Sequence, residues 1–111
     1  MDSLQKKGLN FDLDTEALKK HYPKPNWNNA YYEVRSFFET HGFEHIQGSG
    51  YHSLVPMSEM EAMGVIYQMA RDIPWLNYCV SVCTIADVPE TFDIAHVFAR
   101  EAERLEKKKA K

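Results

Sequence analysis

An acidic side chain near the start of the chain, Asp12, has the type and position of a metal-binding or general-base carboxylate. It alternates with the apolar residues Leu9, Phe11 and Leu13, which is the period of a strand with one buried face. If helices cover that apolar face, Asn10 and Asp12 lie on the uncovered one. In a two-fold dimer built there, two copies of Asp12 could share a hard divalent cation such as Mg²⁺. The alternative is a solvated strand-end aspartate or a helix cap.

A second group of candidate residues surrounds Ser49, which stands between two glycines. Two glycines in four residues between short apolar runs predict a hairpin, and a loop over 47–50 pairs His45 with His52. Two opposed imidazoles could hold a transition metal or act as an acid–base pair on a phosphodiester. Loop amides around Ser49 could approach a phosphate closely. Surface histidines in a plain turn are the alternative.

The totals of the chain limit the classes of function. The 111 residues suit one domain, which we assign to residues 1–106, with 107–111 as a disordered basic tail. The net charge of −3 provides no overall field for nucleic acid. We find no Ser/His/Asp elbow, Walker loop, dinucleotide fingerprint or CxxC pair, and no signal peptide or spanning segment is expected. Cys79 and Cys83 are too far apart along a strand for a disulfide, and we predict a reduced, cytoplasmic protein.

Hydrophobic periodicity predicts the elements that must position these residues. A short helix is expected from Thr15, capped by Asp14 or Thr15, and it must end at Tyr22 or earlier because of Pro23. A second helix is expected from about Trp27 to the stop at Gly42.

The second half of the chain predicts a long helix, a strand and a last helix. Ser58 and Glu61 form a capping box, and the strand is expected over Tyr78–Val88, with the last helix opening at Thr91 or Asp93. The strand is apolar on both faces, which is typical of a central strand or of one that meets a partner subunit. The long helix carries an apolar stripe that we interpret as core filling: Met60, Met63, Tyr67 and Ala70, with Ile66, Met69 and Ile73 beside it.

This order of elements predicts an α+β fold. We expect a ferredoxin-like β-α-β-β-α-β sandwich with an added C-terminal helix and with the helices on one sheet face. The other sheet face then needs solvent, a ligand or a second subunit, so we predict a homodimer.

Several short motifs follow one another in a specific order and spacing. They are Phe11-Asp12-Leu13, His21-Tyr22-Pro23-Lys24, Ala30-Tyr31 with Val34, Gly42-Phe43, Gln47-Gly48-Ser49 with Tyr51, Trp75, and Thr91-Phe92-Asp93. Together they resemble the virulence-associated protein D (VapD) family. The resemblance runs from about Leu9 to Asp93 and is densest from Phe11 to Tyr51.

The resemblance implies a ferredoxin-like homodimer, related in fold to small CRISPR-associated nucleases, with endoribonuclease activity. Some members of the family are toxins of toxin–antitoxin pairs. By this resemblance Asp12 matches the first-strand aspartate proposed as catalytic or metal-binding, and Ser49 and Tyr51 match hairpin residues near the RNA site. One departure is that residues 81–84, Ser-Val-Cys-Thr, replace an Arg-Asp-Ile-Arg pattern. Two positive charges that could contact phosphates are therefore missing.

The predicted function is endoribonuclease cleavage of RNA phosphodiester bonds. The resemblance implies a role as the toxin of a toxin–antitoxin pair, with a small antitoxin protein as partner, and no membrane association is expected. Asp12 would bind Mg²⁺ or act as the general base, while Ser49 and Tyr51 orient the scissile phosphate. Tyr51, His45 or His52 would protonate the leaving oxygen in a metal-free route. Lys19, Lys20, Lys24 and Arg35 are candidates for holding RNA. The alternative is a non-catalytic dimeric interaction or regulatory module of the same fold.

Overall fold

Four strands and four α-helices form the α+β fold in the computed structural model, which describes residues 4–109. The first strand forms where buried and exposed residues alternate, and the third helix begins at the predicted capping box. The elements are β1 (Lys6–Leu13), α1 (Thr15–His21), α2 (Asn29–Thr40), β2 (Phe43–Gln47), β3 (Gly50–Ser53), α3 (Glu59–Asp72), β4 (Val80–Val88) and α4 (His96–Lys109).

The strands form one antiparallel sheet in the order β2-β3-β1-β4. β1 therefore lies in the interior of the sheet, whereas β4, within residues 4–109, pairs only with β1 and is an edge strand. Leu9, Phe11 and Leu13 are buried on one face and Asn10 and Asp12 are exposed, so the predicted alternation of β1 is confirmed.

The core lies between the sheet and the helices, and Phe38 of α2 is at its centre. Its side chain is fully buried and contacts rings from three strands. The ring centroids of Phe11, Phe43 and Tyr51 lie 5.4, 5.7 and 4.4 Å from that of Phe38. This one side chain thereby fixes α2 over β1, β2 and β3.

Three sequence-based boundaries are wrong for identifiable reasons. β4 begins at Val80 rather than Tyr78, because Pro74–Tyr78 forms a short 3-10 helix. α4 begins at His96 rather than at Thr91 or Asp93, and it continues to Lys109 through most of the tail predicted to be disordered. Ala110 and Lys111 lie outside the described residues.

The apolar stripe of α3 is only partly core. Ala62 and Met69 are buried, but Met60, Met63 and Tyr67 are 83%, 40% and 61% exposed. The interpretation of the whole stripe as core filling is therefore wrong, since helical spacing shows that residues share a face but not that a neighbour covers it. Among the described residues, no helix is both long and apolar enough to cross a membrane.

Removing the Phe38 ring should destabilise the fold strongly. We expect Phe38→Ala to lower the free energy of unfolding by about 3–5 kcal/mol, because it leaves a cavity among three aromatic rings. Urea unfolding followed by circular dichroism measures this loss. Ile46→Ala is the control, since Ile46 is 45% exposed and its truncation should cost less than about 1 kcal/mol. Equal losses in the two variants would contradict this account of the core.

Candidate active-site cleft

A cleft of about 630 Å³ opens where the end of β1, the β2–β3 turn and the first half of α2 meet. Three of the four predicted catalytic residues, Asp12, Ser49 and Tyr51, lie on its wall, although they come from two separate segments of the chain. The other lining residues are Phe11, Leu13, Tyr31, Tyr32, Val34, Arg35, His45 and Gly48.

Asp12 supplies the carboxylate of the cleft. Its side chain is exposed, and its Oδ1 accepts a hydrogen bond of 2.9 Å from the backbone N–H of Leu13. The β1–β4 register shifts between these two residues, so the carboxylate lies at an irregular strand end. Within residues 4–109 no ion pair involves Asp12, which leaves it able to accept a proton or bind a cation. Asp14, by contrast, caps α1 as predicted, because its side chain accepts from the Glu16 N–H.

Two cross-connections hold Ser49 beside Asp12. The backbone N–H of Phe11 donates to the Ser49 carbonyl at 2.8 Å, and the Ser49 hydroxyl donates to Oδ1 of Asn10 in a short hydrogen bond. Gly48 has φ of 53°, a left-handed conformation that glycine adopts readily. Because its proton is directed to Asn10, the Ser49 hydroxyl presents lone pairs rather than a proton to the cleft.

Tyr51 forms the floor of the cleft on the helix-covered side of the sheet. It is only 5% exposed and packs against Phe38. Burial raises the pKa of Tyr51, and the Arg35 guanidinium offsets part of this effect. The phenol is therefore protonated at neutral pH and can donate a hydrogen bond or a proton.

The predicted pairing of His45 with His52 is wrong. The observed register pairs His45 with Tyr51 and Glu44 with His52, because β2 and β3 are joined by only Gly48 and Ser49, and the register shifts between His45 and Gln47. Because successive side chains of a strand point to opposite faces, this one-residue slip in register puts His45 and His52 on opposite faces of the sheet.

His45 lines the cleft and His52 does not. The His45 ring contacts Tyr51 edge-on at 5.2 Å, and its Nε2 donates to the Gly48 carbonyl at 2.8 Å. His52 lines a separate depression with Lys6, Pro56 and Val88, on the sheet face opposite Tyr51. Of the two histidines, it is His45 that shares the cleft with Asp12, Ser49 and Tyr51.

Two tyrosines at the mouth of the cleft were missed by the sequence analysis. Tyr31 and Tyr32 begin α2 and are 41% and 74% exposed. Burial and the carboxylates of Asp12 and Asp14 raise the pKa of Tyr31, in that order of effect. The Ala30-Tyr31 motif marked the position, but only the packing of α2 against β1 reveals its proximity to Asp12.

Of the four cations considered for RNA binding, Arg35 alone lies on the cleft wall. Its Nε is 2.6 Å from Oε1 of Glu39, so its charge is partly compensated. Lys19 pairs with Glu16 and Lys24 with Glu33, both at the protein surface. The electrostatic attraction of the cleft for phosphate therefore depends mainly on Arg35.

The donor set around Asp12 suits Mg²⁺ only in part. Within residues 4–109 no three His, Cys, Asp or Glu side chains group together as metal ligands. Mg²⁺ commonly binds through one or two carboxylates together with waters and substrate phosphates, and a single Asp12 meets that minimum. A transition-metal site at His45 and His52 is not supported, because the two imidazoles lie on different faces.

Comparisons with known proteins identify the class to which this fold and cleft belong. No protein-family model matches the chain. The curated relatives that match the chain are named as endoribonucleases. The chain is 27% identical over 84 residues to endoribonuclease VapD 2 of Riemerella anatipestifer, covering 76% of this chain and 89% of the relative. It is 29% identical over 86 residues to an endoribonuclease VapD homolog of Helicobacter pylori, covering 78% and 88%.

A third comparison decides the family. The chain is 42% identical over 70 residues to endoribonuclease VapD of Helicobacter pylori, which covers 63% of this chain and 70% of that protein. The chain therefore belongs to the VapD family, and the resemblance identified from its motifs is confirmed.

The hydrogen bond between Asn10 and Ser49 should be measurable as a coupling energy. We expect Asn10→Ala and Ser49→Ala to be non-additive by about 1 kcal/mol, because either substitution alone already breaks the bond. Urea unfolding of the two single variants and the double variant gives this value. The control cycle pairs Asn10→Ala with Glu44→Ala, which share no hydrogen bond and should be additive within about 0.5 kcal/mol. Additivity in both cycles would mean that this clamp does not form.

Proposed function

We propose that this protein is a ferredoxin-like endoribonuclease that cleaves RNA phosphodiester bonds in the cleft beside Asp12. The observation that carries the proposal is the convergence of an available carboxylate, a polar turn and a buried phenol in one cleft. The strand order β2-β3-β1-β4, with all neighbours antiparallel, supports the ferredoxin-like assignment. The names of the relatives support the reaction class.

In the metal-free form of the reaction, Asp12 is the general base. It takes the proton from a ribose 2′-hydroxyl, and the resulting oxygen attacks the adjacent phosphorus. The bond from phosphorus to the 5′-oxygen breaks, leaving a 2′,3′-cyclic phosphate on one product. The 5′-oxygen receives a proton from Tyr51 or His45, which lie in contact on the cleft wall.

The Ser49 turn and Arg35 position the RNA in this proposal. Arg35 provides positive charge for the phosphate oxygens, and lone pairs of the Ser49 hydroxyl can accept a hydrogen bond from a ribose hydroxyl other than the attacking one. A Mg²⁺ ion held by Asp12 and the phosphate would neutralise phosphate charge in the metal-dependent alternative. Activity with and without EDTA separates the two routes.

We expect weak electrostatic binding of RNA. Val82 pairs with Asp12 and Thr84 pairs with Asn10, so apolar or neutral residues occupy the strand that is Arg-rich in the family. With Arg35 as the main cationic contact, the RNA affinity should depend only weakly on salt. The plot of the logarithm of the binding constant against the logarithm of the salt concentration should have a slope of about −0.7 for each phosphate contact.

The wider biological assignments follow from the same proposal. We propose a cytoplasmic homodimer that acts as the toxin of a toxin–antitoxin pair, with a small antitoxin protein as its partner. A small reading frame directly beside this one, whose product suppresses toxicity on co-expression, would support the pairing.

A non-catalytic interaction or regulatory module is the second candidate. The neutral Ser81–Thr84 segment and the net charge of −3 favour it. Incubating the protein with labelled RNA, with Mg²⁺ and with EDTA, separates the two candidates. Absence of cleavage by correctly folded protein under both conditions would favour the module.

Replacing the Asp12 carboxylate should abolish most of the activity. We expect Asp12→Asn to reduce RNA cleavage by about 10²-fold or more, because the amide can neither accept the 2′-hydroxyl proton nor neutralise a cation. Initial rates on labelled RNA measure the loss. Asp14→Asn is the matched control. The Asp14 side chain caps α1, and asparagine also caps helices well, so this variant should keep the wild-type activity. Cleavage unchanged in Asp12→Asn would remove this residue from the mechanism.

Tyr51→Phe tests the proton donor separately. The variant keeps the ring that packs on Phe38 and loses only the hydroxyl, so we expect stability to change little and kcat to fall by about 10²-fold. Because burial raises the pKa of Tyr51 above the ordinary tyrosine value of about 10, ionisation of the phenol should not reduce wild-type activity below about pH 10. Tyr78→Phe, at an exposed phenol outside the cleft, is the control. An unchanged kcat in Tyr51→Phe would assign the proton to His45.

A further inference from the structure

Two adjacent tyrosines near the start of α2 lie at the mouth of the cleft. Tyr31 and Tyr32 are 41% and 74% exposed, and both line the cleft together with Asp12. Within residues 4–109, neither ring packs against another aromatic ring. In the same part of the chain, the one tyrosine hydroxyl with a hydrogen-bond partner is that of Tyr22, which donates to Glu33. A single exposed tyrosine is ordinary, but two side by side at the edge of a cleft indicate a binding role.

The volume of the cleft exceeds the needs of one phosphate group. It is about 630 Å³, within the range of roughly 300–1,000 Å³ that is typical of sites for whole small molecules. The groups proposed to act on the phosphodiester, Asp12, Ser49 and Tyr51, belong to β1 and the hairpin. α2 contributes Tyr32 and Arg35 to the same cleft. A nucleoside attached to that phosphate therefore has an aromatic ring and a cation available within the cleft.

Helical spacing makes Arg35 a neighbour of both tyrosines. Residues three and four positions apart lie next to each other on a helix, and Arg35 follows Tyr32 by three residues and Tyr31 by four. Aromatic rings and guanidinium planes are the side-chain groups on which unpaired RNA bases stack. The helix that carries them is fixed, because Phe38 is fully buried in the core. A tyrosine ring has only two side-chain torsions, so it loses little conformational entropy when a base covers it.

The small positive charge of the cleft requires a second source of affinity for RNA. Within residues 4–109, Arg35 is the one lysine or arginine on the cleft wall, and Glu39 partly compensates its charge. Residues 81–84 contain no cation. Stacking of a base on an aromatic ring adds affinity without counterion release, and it tolerates any sequence because every base has a π-face. An exposed tyrosine at the mouth of the cleft can supply this contribution.

We propose that Tyr32 is the platform on which one unpaired base next to the scissile phosphate stacks, so that the cleft selects single-stranded RNA. In an A-form duplex each base is paired and stacked between its neighbours, so it reaches an aromatic side chain only after it leaves the helix. Tyr31, the less exposed of the two rings, borders the same space. This inference rests on the proposed function, and it adds the strand state of the substrate and the residue that recognises it.

Binding measured without cleavage tests the platform. The first fluorescent ligand is a single strand of 2′-O-methyl RNA of about eight nucleotides, whose blocked 2′-oxygens cannot attack phosphorus. The second is a strand of the same length in which every nucleoside is an abasic tetrahydrofuran. We expect Tyr32→Ala to weaken binding of the first ligand by about 5- to 100-fold, because the base loses its stacking partner. Binding of the abasic strand should not change, because that strand offers phosphates but no base. Fluorescence anisotropy gives each Kd.

Three further variants separate stacking from charge and from general effects. Tyr32→Phe keeps the ring and should bind the 2′-O-methyl strand within about twofold of the wild type. The matched control is Tyr67→Ala, which removes a 61% exposed tyrosine of α3 outside the cleft and should change neither Kd. Arg35→Gln should weaken both ligands and reduce the salt slope by about 0.7, whereas Tyr32→Ala should leave that slope unchanged. Circular dichroism confirms that each variant is folded.

A duplex of the same 2′-O-methyl sequence tests the strand state. Wild-type protein should bind this duplex at least about tenfold more weakly than the single strand, because a base must first unpair and unstack to reach Tyr32. Tyr32→Ala should remove much of this difference. Equal wild-type affinities for duplex and single strand would contradict the selection of unpaired RNA.

The remaining outcomes distinguish the platform from the proposed cleavage. Equal weakening of both single-stranded ligands in Tyr32→Ala would mean that the residue supports the cleft instead of stacking on a base. Unchanged binding of the 2′-O-methyl strand in Tyr32→Ala would remove the platform while the cleavage proposal stands. Failure of the wild-type protein to bind either strand would also overturn the platform. Absence of cleavage of unmodified RNA by the same preparation would overturn the proposed function as well.

Discussion

The fold and its cleft depend on the burial of the Phe38 ring. Phe38 is the contact through which α2 rests on three strands at once, with Phe11, Phe43 and Tyr51 around it. The same ring supports Tyr51 from below and so determines how deep the phenol lies in the cleft. Tyr31, Tyr32 and Arg35 reach the cleft because they are on the helix that Phe38 anchors. Packing in the core thus sets the geometry of groups that are exposed.

The hairpin turn brings the second half of the cleft into place by polar rather than apolar contacts. Asn10 and Phe11 hold the Ser49 turn against β1, immediately before Asp12. The amide oxygen of Asn10 accepts the hydrogen bond that the Ser49 hydroxyl donates. The chemical character of Ser49 is therefore set by a residue of β1. A serine that already donates to Asn10 orients its ligands instead of attacking them.

Local patterns predicted the elements well and their mutual placement less well. The alternation around Asp12, the Asp14 cap and the capping box at Ser58 depend on neighbours in sequence, and all three are confirmed. The pairing of His45 with His52 failed because a register shift in a short hairpin leaves no signal in the sequence. The exposure of Met63 and Tyr67 was missed because periodicity does not reveal what covers a helix face. The position of Tyr31 in the cleft depends on tertiary packing, which local sequence patterns do not reveal.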